Sequence, residues 1–257
     1  MSQLKITTFN IRCVYRGDGI NAFIHRAGLI WDTVQKEKPD VIGFQEVTPS
    51  ILKLLKVLLN DYEVIGHGRE DNFDGEGLYV AVRKDTCSIL SCDTYWLGEN
   101  IYKYSRIQGQ YCPRIFNTVK IKHLESGKLF RVYNAHLDCT PDENVRAKEM
   151  NILLARATEE YNIHALPFVV MGDFNSYPHE APITACNSFE AVPLTDLTAH
   201  ITHTYHEYGK YTENFKIDYI FATKELADAV VETRAWDVCN NGIYLSDHYP
   251  ISSTFEI

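Results

Sequence analysis

The sequence contains no apolar run approaching the roughly 20 residues of a membrane-spanning helix, so no span is expected. It contains no CxxC pair. The seven cysteines (Cys13, Cys87, Cys92, Cys112, Cys139, Cys186 and Cys239) are odd in number and scattered, which argues against both a zinc site and a disulfide framework. Scattered thiols imply a reducing compartment, and a cytoplasmic location is the expectation. The first ten residues, Met1 to Asn10, lack the charged and apolar regions of a signal peptide and enter a strand at once. There is no basic excess: 25 Lys and Arg face 34 Asp and Glu, a formal charge of −9. That balance disfavours a protein that holds nucleic acid by phosphate neutralisation. Repeats, low-complexity tracts and linkers are also missing. What remains, 257 residues with 45% hydrophobic and 23% charged content, describes one soluble globular domain, residues 1–257, with a sizeable core.

The chain is organised around Leu166-Pro-Phe-Val-Val-Met-Gly-Asp-Phe-Asn175. Phe168 to Met171 is short and continuously apolar, as in a strand buried on both faces. It breaks at Gly172 and delivers Asp173 and Asn175, two apart and so on one face of an extended backbone. Other strands are expected at Lys5–Ile11, Val41–Glu46, Ile217–Phe221, Val230–Trp236 and from Ile251. Leu78–Val82 and Cys87–Cys92 read as a hairpin turning at Arg83-Lys84-Asp85. Ile115–Lys122 and Lys128–Asn134 read as a pair joined by Glu125-Ser-Gly127. Helices are expected from an Asn21 cap to Lys38, after Thr48-Pro49, from Pro141 to Tyr161, from Glu180, and after Thr223. Tyr95 to Tyr111, polar and aromatic, shows no regular pattern.

Six strand ends or adjacent turns carry residues suited to one site: Asn10, Glu46, His136 with Asp138, Asp173 with Asn175, Asp218, and Asp247 with His248. Each has a bland reading as a turn former, a helix-start acid or a satisfied core group. Their recurrence at the ends of otherwise apolar strands favours one shared site. The set is rich in oxygen donors, which suit magnesium, with manganese as the variant, rather than zinc. Magnesium keeps several waters and binds substrate phosphate, so attack of water on a phosphoester is the chemistry such a site suits.

Phe9-Asn-Ile-Arg12, Gly43-Phe-Gln-Glu46, Asn134-Ala-His-Leu137, Gly172-Asp-Phe-Asn175, Ile217-Asp-Tyr-Ile220 and Ser246-Asp-His248 resemble, in order, the motifs of the endonuclease/exonuclease/phosphatase superfamily, the exonuclease III and deoxyribonuclease I-like group. The overall pattern is closest to an uncharacterised bacterial branch. The resemblance implies an α/β fold, a four-layered sandwich of two face-to-face mixed sheets with helices outside. It makes Glu46 the principal magnesium ligand, with Asn10 beside it and Asp247 nearby. It makes Asp173 the group that activates or orients water and Asn175 the group that holds that water or a phosphate oxygen. Asp218 is then the partner of His248. His248 and His136 stabilise charge at phosphorus, and His136 is in addition a candidate acid for the leaving oxygen. Arg114 and Arg146 are candidates for substrate phosphate, each weighed against a structural ion pair. Glu76 reads first as a turn residue.

Three functional readings follow. The first is a hydrolase of a small phosphoester or phosphodiester, favoured by the charge. The second is a nuclease or deadenylase-like enzyme, which needs a basic groove from Arg83, Lys84, Lys103, Arg106 and Arg114. The third, a binding protein that has lost the chemistry, is disfavoured by the complete residue set.

Overall fold

The computed structural model describes residues 2–257. Strands β1 (Gln3–Asn10), β2 (Val41–Val47), β3 (Tyr62–Gly68), β4 (Gly77–Arg83), β11 (Val230–Ala235) and β14 (Ile251–Glu256) form one sheet, ordered β11-β14-β1-β2-β4-β3. Strands β5 (Cys87–Trp96), β6 (Ile115–His123), β7 (Leu129–His136), β8 (Phe168–Asp173), β9 (Leu194–Asp196) and β10 (Asp218–Thr223) form the second, ordered β5-β6-β7-β8-β10-β9. Each sheet is mixed: β1 runs parallel to β2 and β7 to β8, and their other neighbours are antiparallel. A small ribbon, β12 (Cys239–Asn240) with β13 (Ile243–Tyr244), stands apart from both.

The sheets pack face to face through Leu4, Ile6, Val41, Val80, Val119, Val132, Val169, Met171 and Ile220. Helices α1 (Phe23–Glu37) and α2 (Pro49–Leu58) cover the outer face of the first sheet, setting Ile30, Val34, Ile51 and Leu55 against Phe9, Ile42 and Phe44. Helices α3 (Glu143–Ile163) and α4 (Ala181–Asn187) cover the second, setting Met150, Leu153, Ala157 and Ile183 against Tyr133, Val170 and Tyr219. Each fully buried Val, Ile or Leu contributes about 1.5–3 kcal/mol, so these interfaces hold the four layers together. A short helix, α5 (Lys224–Asp228), follows β10 and buries Leu226 in the inter-sheet core.

Along each central strand the inward-facing positions change in character. On β1 they run Leu4, Ile6, Thr8, Asn10; on β7, Phe130, Val132, Asn134, His136; on β8, Val169, Met171, Asp173. The middle of this gradient is a buried amide layer. Gln45 Nε2 donates to Asn134 Oδ1 at 2.6 Å, and Asn134 Nδ2 donates to Asn117 Oδ1 at 3.3 Å and to the Phe44 carbonyl at 3.1 Å. Gly43 makes room for it: a Cβ there would come within 2.8 Å of Asn134 Oδ1. Hydrogen bonds between buried amides help fix strand register, because a slip would break them, and Gln45 Oε1 is left without a partner in this layer.

Three expectations need correction. Leu78–Val82 and Cys87–Cys92 are not a hairpin, since β4 pairs with β2 and β3 while β5 pairs with β6 in the other sheet. The Arg83–Thr86 turn carries the chain between layers, anchored where Arg83 and Thr86 both reach the buried Asp40. Asn21 does not cap α1. It ends a 3₁₀ segment (Arg16–Asn21), and its side chain accepts from the Tyr244 N–H and donates to the Gly242 carbonyl, tying that segment to β13. Finally, Arg83 and Lys84 lie at the far end of β4 from Glu46, with Arg83 engaged by Asp40 and Lys84 by the Asn60 carbonyl. Arg106 donates to the Gln110 carbonyl. Of these candidates for a basic groove, Arg114 alone lines the central cleft.

Candidate active site

The polar ends of β1, β2, β7, β8 and β10 meet at one rim of the sandwich and floor a cleft of about 550 Å³. Strict alternation would send Glu46 outward, because Val41, Gly43 and Gln45 face the other sheet. A register shift between Phe44 and Val47, with φ of 61° at Glu46, turns its carboxylate into the cleft instead. Arg12 and Asn175 also hold positive φ, 62° and 48°. Such non-glycine conformations cost about 1 kcal/mol or more each and gather where a site over-determines them. Gly172 is required by close approach: its φ is 149°, and a Cβ there would lie 1.8 Å from the Ala135 carbonyl oxygen of β7.

Asp173 is the hub. Its Oδ2 accepts from Asn10 Nδ2 at 2.9 Å and lies 3.5 Å from His136 Nε2 and 3.7 Å from His248 Nε2. Its Oδ1 accepts from the Asn175 N–H at 2.9 Å. Burial, then the nearby Asp218 carboxylate, push the Asp173 carboxyl up to about 7, against the pull of His248 and Asn10. His248 Nδ1 donates to Asp218 Oδ2 at 2.9 Å. Burial lowers the His248 pKa, but Asp218, Asp173 and Asp247 together outweigh it and raise it to about 10, so the ring is an imidazolium at neutral pH. His136 differs. Burial and the positive charges of Arg114, Arg69 and His248 hold it well below its usual value, so it is neutral.

Glu46 and Asp247 form the other half. Glu46 accepts from Asn10 Nδ2 at 3.1 Å and from the Cys13 N–H at 2.8 Å. Burial works to raise its pKa, but the Cys13 N–H, His248, Asn10 and Arg12 win and keep it ionised. Asp247 is raised by burial and by repulsion from Glu46, even though Arg12 Nη1 stands 3.4 Å from its Oδ2 and His248 is nearby. Four carboxylates, the partly buried Glu46 and the buried Asp173, Asp218 and Asp247, thus face two cations, Arg12 and the charged His248. Glu46 and Asp247 line the cleft with carboxylates, while Asn10 donates its Nδ2 to Glu46 and Asp173 and accepts from the Arg12 N–H through Oδ1, and the surplus negative charge is what a hard divalent cation neutralises. Asp173, Asp218 and His248 also lie close enough to share an ion, with ligand atoms within 4.8 Å. Within that cluster His248 Nδ1 is already engaged by Asp218 Oδ2 at 2.9 Å, which leaves Nε2 facing Asp173.

The two arginine candidates separate. Arg114 is buried, with Nε donating to Asp138 Oδ2 at 3.2 Å while its side chain lines the cleft beside His136. Asp138, in turn, is held by the Tyr111, Cys112 and Thr140 N–H groups. Arg146 does not reach the cleft: its guanidinium is spent on Ser176 Oγ at 2.9 Å, Glu180 Oε1 at 2.7 Å and the Thr140 carbonyl. It pins α3 to the loop after β8, the structural ion pair weighed against a phosphate contact. Glu76 is more than a turn residue, since it lines the cleft and pairs with Arg69 Nη1 at 2.8 Å. Sequence reasoning missed Arg12 as a site residue although it closes the Phe9-Asn-Ile-Arg12 motif. It also missed Arg69, Tyr205 and Phe215, which lie in loops without a pattern of their own.

This arrangement, an acid-rich cleft at the mouth of a two-sheet sandwich, defines a class. Residues 7–248 match the model of the Endonuclease/Exonuclease/phosphatase family, and the chain belongs to that family. Its members include phosphatases, nucleases and deadenylases. Among solved structures, an endonuclease/exonuclease/phosphatase from Bacteroides vulgatus is 27% identical with a TM-score of 0.91, covering 100% of both chains. The Bacteroides thetaiotaomicron mannosyl-6-phosphatase Bt3783 is 24% identical with a TM-score of 0.86, covering 97% of this chain and 98% of its own. An uncharacterized protein, L388, of Acanthamoeba polyphaga mimivirus is 23% identical over 98% of this chain and 100% of its own.

Proposed function

We propose that this protein is a magnesium-dependent hydrolase of small phosphoesters. The observation that carries the reading is the geometry around Asp173: its carboxylate accepts from Asn10 Nδ2 and the Asn175 N–H at 2.9 Å each and lies 3.7 Å from Nε2 of His248, whose Nδ1 donates to Asp218. These surroundings raise the Asp173 carboxyl and keep His248 charged. A carboxyl raised toward neutrality is matched to the task of a base, and an imidazolium that stays charged beside it to that of a cation. In its ionised form Asp173 takes a proton from a water held by Asn175. The water oxygen bonds to phosphorus on the face opposite the ester oxygen, and the P–O bond to the leaving group breaks. His248, fixed by Asp218, stabilises the charge gathering on the phosphoryl oxygens. The neutral His136 suits hydrogen bonding to a phosphoryl oxygen better than proton donation, so the leaving oxygen takes its proton from His248 or from solvent. Arg114 presents its free guanidinium nitrogens to the phosphate.

Asn10, Glu46 and Asp247 are the residues that would hold magnesium, with manganese as substitute. When bound, the ion supplies Lewis-acid stabilisation of phosphoryl charge. A small ester is preferred over a polynucleotide because the net charge is −9 and the basic residues expected to form a groove are dispersed. The neighbouring mannosyl-6-phosphatase supports the same choice. The test is phosphate release from a panel of sugar phosphates, glycerol phosphate, phosphodiesters and oligonucleotides, with magnesium and with a chelator. Magnesium-dependent release from small esters, abolished in Asp173→Ala, is expected. Cleavage confined to oligonucleotides would make the protein a nuclease, and activity surviving in Asp173→Ala would remove the mechanism.

A further inference from the structure

One wall of the cleft is aromatic and no step above uses it. Tyr177, Tyr205 and Phe215 line the cleft directly, with Ile217 at their base. Their rings form a continuous surface: Tyr177 to Phe215 is 5.3 Å between centroids and Tyr205 to Phe215 is 4.9 Å. Tyr211 extends the surface toward solvent, 5.3 Å from Phe215 and 5.8 Å from Tyr205. The inner end of the wall touches the chemistry, since the Tyr205 ring sits 4.9 Å from the His248 ring, edge to face. A phosphoryl group beside His248 and Asn175 therefore directs one substituent along these rings. The rest of the lining is largely polar and includes Arg69 and Arg114.

We infer that this wall is a leaving-group subsite for a pyranose ring, so that the ester hydrolysed is a sugar phosphate. The inference rests on the phosphoester-hydrolase reading and adds the substrate class. Three features select a sugar. First, the rings are tilted against one another by 36° to 59° and form a faceted surface, not a flat platform. A flat base stacks on one parallel ring, whereas a chair directs axial C–H bonds at several facets. Second, among the described residues the hydroxyls of Tyr177, Tyr205 and Tyr211 have no protein hydrogen-bond partner, leaving them for a polyol. An acyl chain would waste them. Third, the surface continues outward: among the described residues, every exposed aromatic side chain, such as Tyr15, Phe73, Tyr111 and Tyr211, lies on a loop at the cleft end of the sandwich. Aromatic surface gathered at one mouth marks a binding region.

The test compares kcat/KM for a hexose 6-phosphate, glycerol phosphate and a nucleoside monophosphate in wild-type protein with magnesium, and then in Phe215→Ala, Tyr211→Ala and Phe215→Trp. Wild type is expected to prefer the hexose ester over glycerol phosphate by about tenfold or more. Phe215→Ala is expected to cut that ratio about tenfold through KM, with Phe215→Trp restoring it, and Tyr211→Ala to cut it about threefold. A general loss of structure would lower activity on both esters and leave the ratio unmoved. Turnover of glycerol phosphate without a pyranose preference, a preference for the nucleotide, or a ratio that neither alanine variant moves would overturn the subsite while leaving the hydrolase standing. No turnover of any ester would overturn both.

Discussion

Replacing Asp218 by Asn keeps the shape of the side chain and an oxygen facing His248 Nδ1, and removes one buried charge. The consequences can be worked from the site. The rise of His248 from 6.5 to about 10 corresponds to about 5 kcal/mol in favour of the imidazolium. It is achieved against burial, and Asp218 contributes to it twice, through its charge and through the 2.9 Å hydrogen bond. Without that charge the His248 pKa falls back toward its ordinary value, so a smaller fraction of the ring is protonated at mildly alkaline pH. Asp218 also ranks next after burial in pushing Asp173 to about 7, so the same substitution lowers Asp173. Both limbs of the pH–rate profile therefore move toward acid, and kcat at about pH 8 falls about tenfold or more. The assay is kcat against pH for wild type and Asp218→Asn, with the His248 ring followed by NMR. Stability offers a second readout. A histidine whose folded pKa exceeds its unfolded value gives stability that is complete below about 6.5 and lost as pH rises through about 10. Wild type should weaken toward urea between neutral pH and about 10, and the variant should not. A basic limb that stays in place would refute the role given to Asp218.

Three further outcomes follow from the packing. Gly172→Ala places a methyl group 1.8 Å from the Ala135 carbonyl at a φ of 149°, and thermal melts should show a loss of about 3 kcal/mol or more. Arg114→Lys keeps a cation for the buried Asp138 but gives up the planar fork, so KM for phosphoesters should rise about tenfold while kcat changes little; an unchanged KM would remove Arg114 from the substrate site. Arg146→Met should lower the melting temperature by several degrees, as expected from breaking buried contacts worth about 2 kcal/mol or more, and leave KM alone. A raised KM would return Arg146 to the site.

The sandwich and its central strands were legible because each strand is a short apolar run ending in a polar residue, and Gly172-Asp-Phe-Asn175 gives that pattern in its plainest form. The residues that meet at the rim were legible as types at strand ends, since inward positions on β1, β7 and β8 follow simple alternation. Glu46 was legible as the acid that ends a buried strand, although alternation would have pointed it outward; a bulge cannot be read from Gly43-Phe-Gln-Glu46 alone. The turn at Arg83-Lys84-Asp85 looked like a hairpin because local sequence does not say which sheet the next strand joins. What decides it is the long-range burial of β4 between β2 and β3, anchored through Asp40. Arg146 shows the same limit. Its position after His136 suited a substrate contact, and only Ser176 and Glu180, about 30 positions away in the chain, reveal its structural use. The aromatic wall was illegible for a related reason, since Tyr177 and the Tyr205–Phe215 loop are brought together only by the β8–β10 pairing.

The most direct test is hydrolysis of a small phosphoester with magnesium in ¹⁸O-labelled water, with the products weighed by mass spectrometry. Attack of the Asp173-activated water on phosphorus predicts label in the released phosphate and none in the alcohol, with both release and label lost in Asp173→Ala. Label in the alcohol, or undiminished release from the variant, would contradict the account.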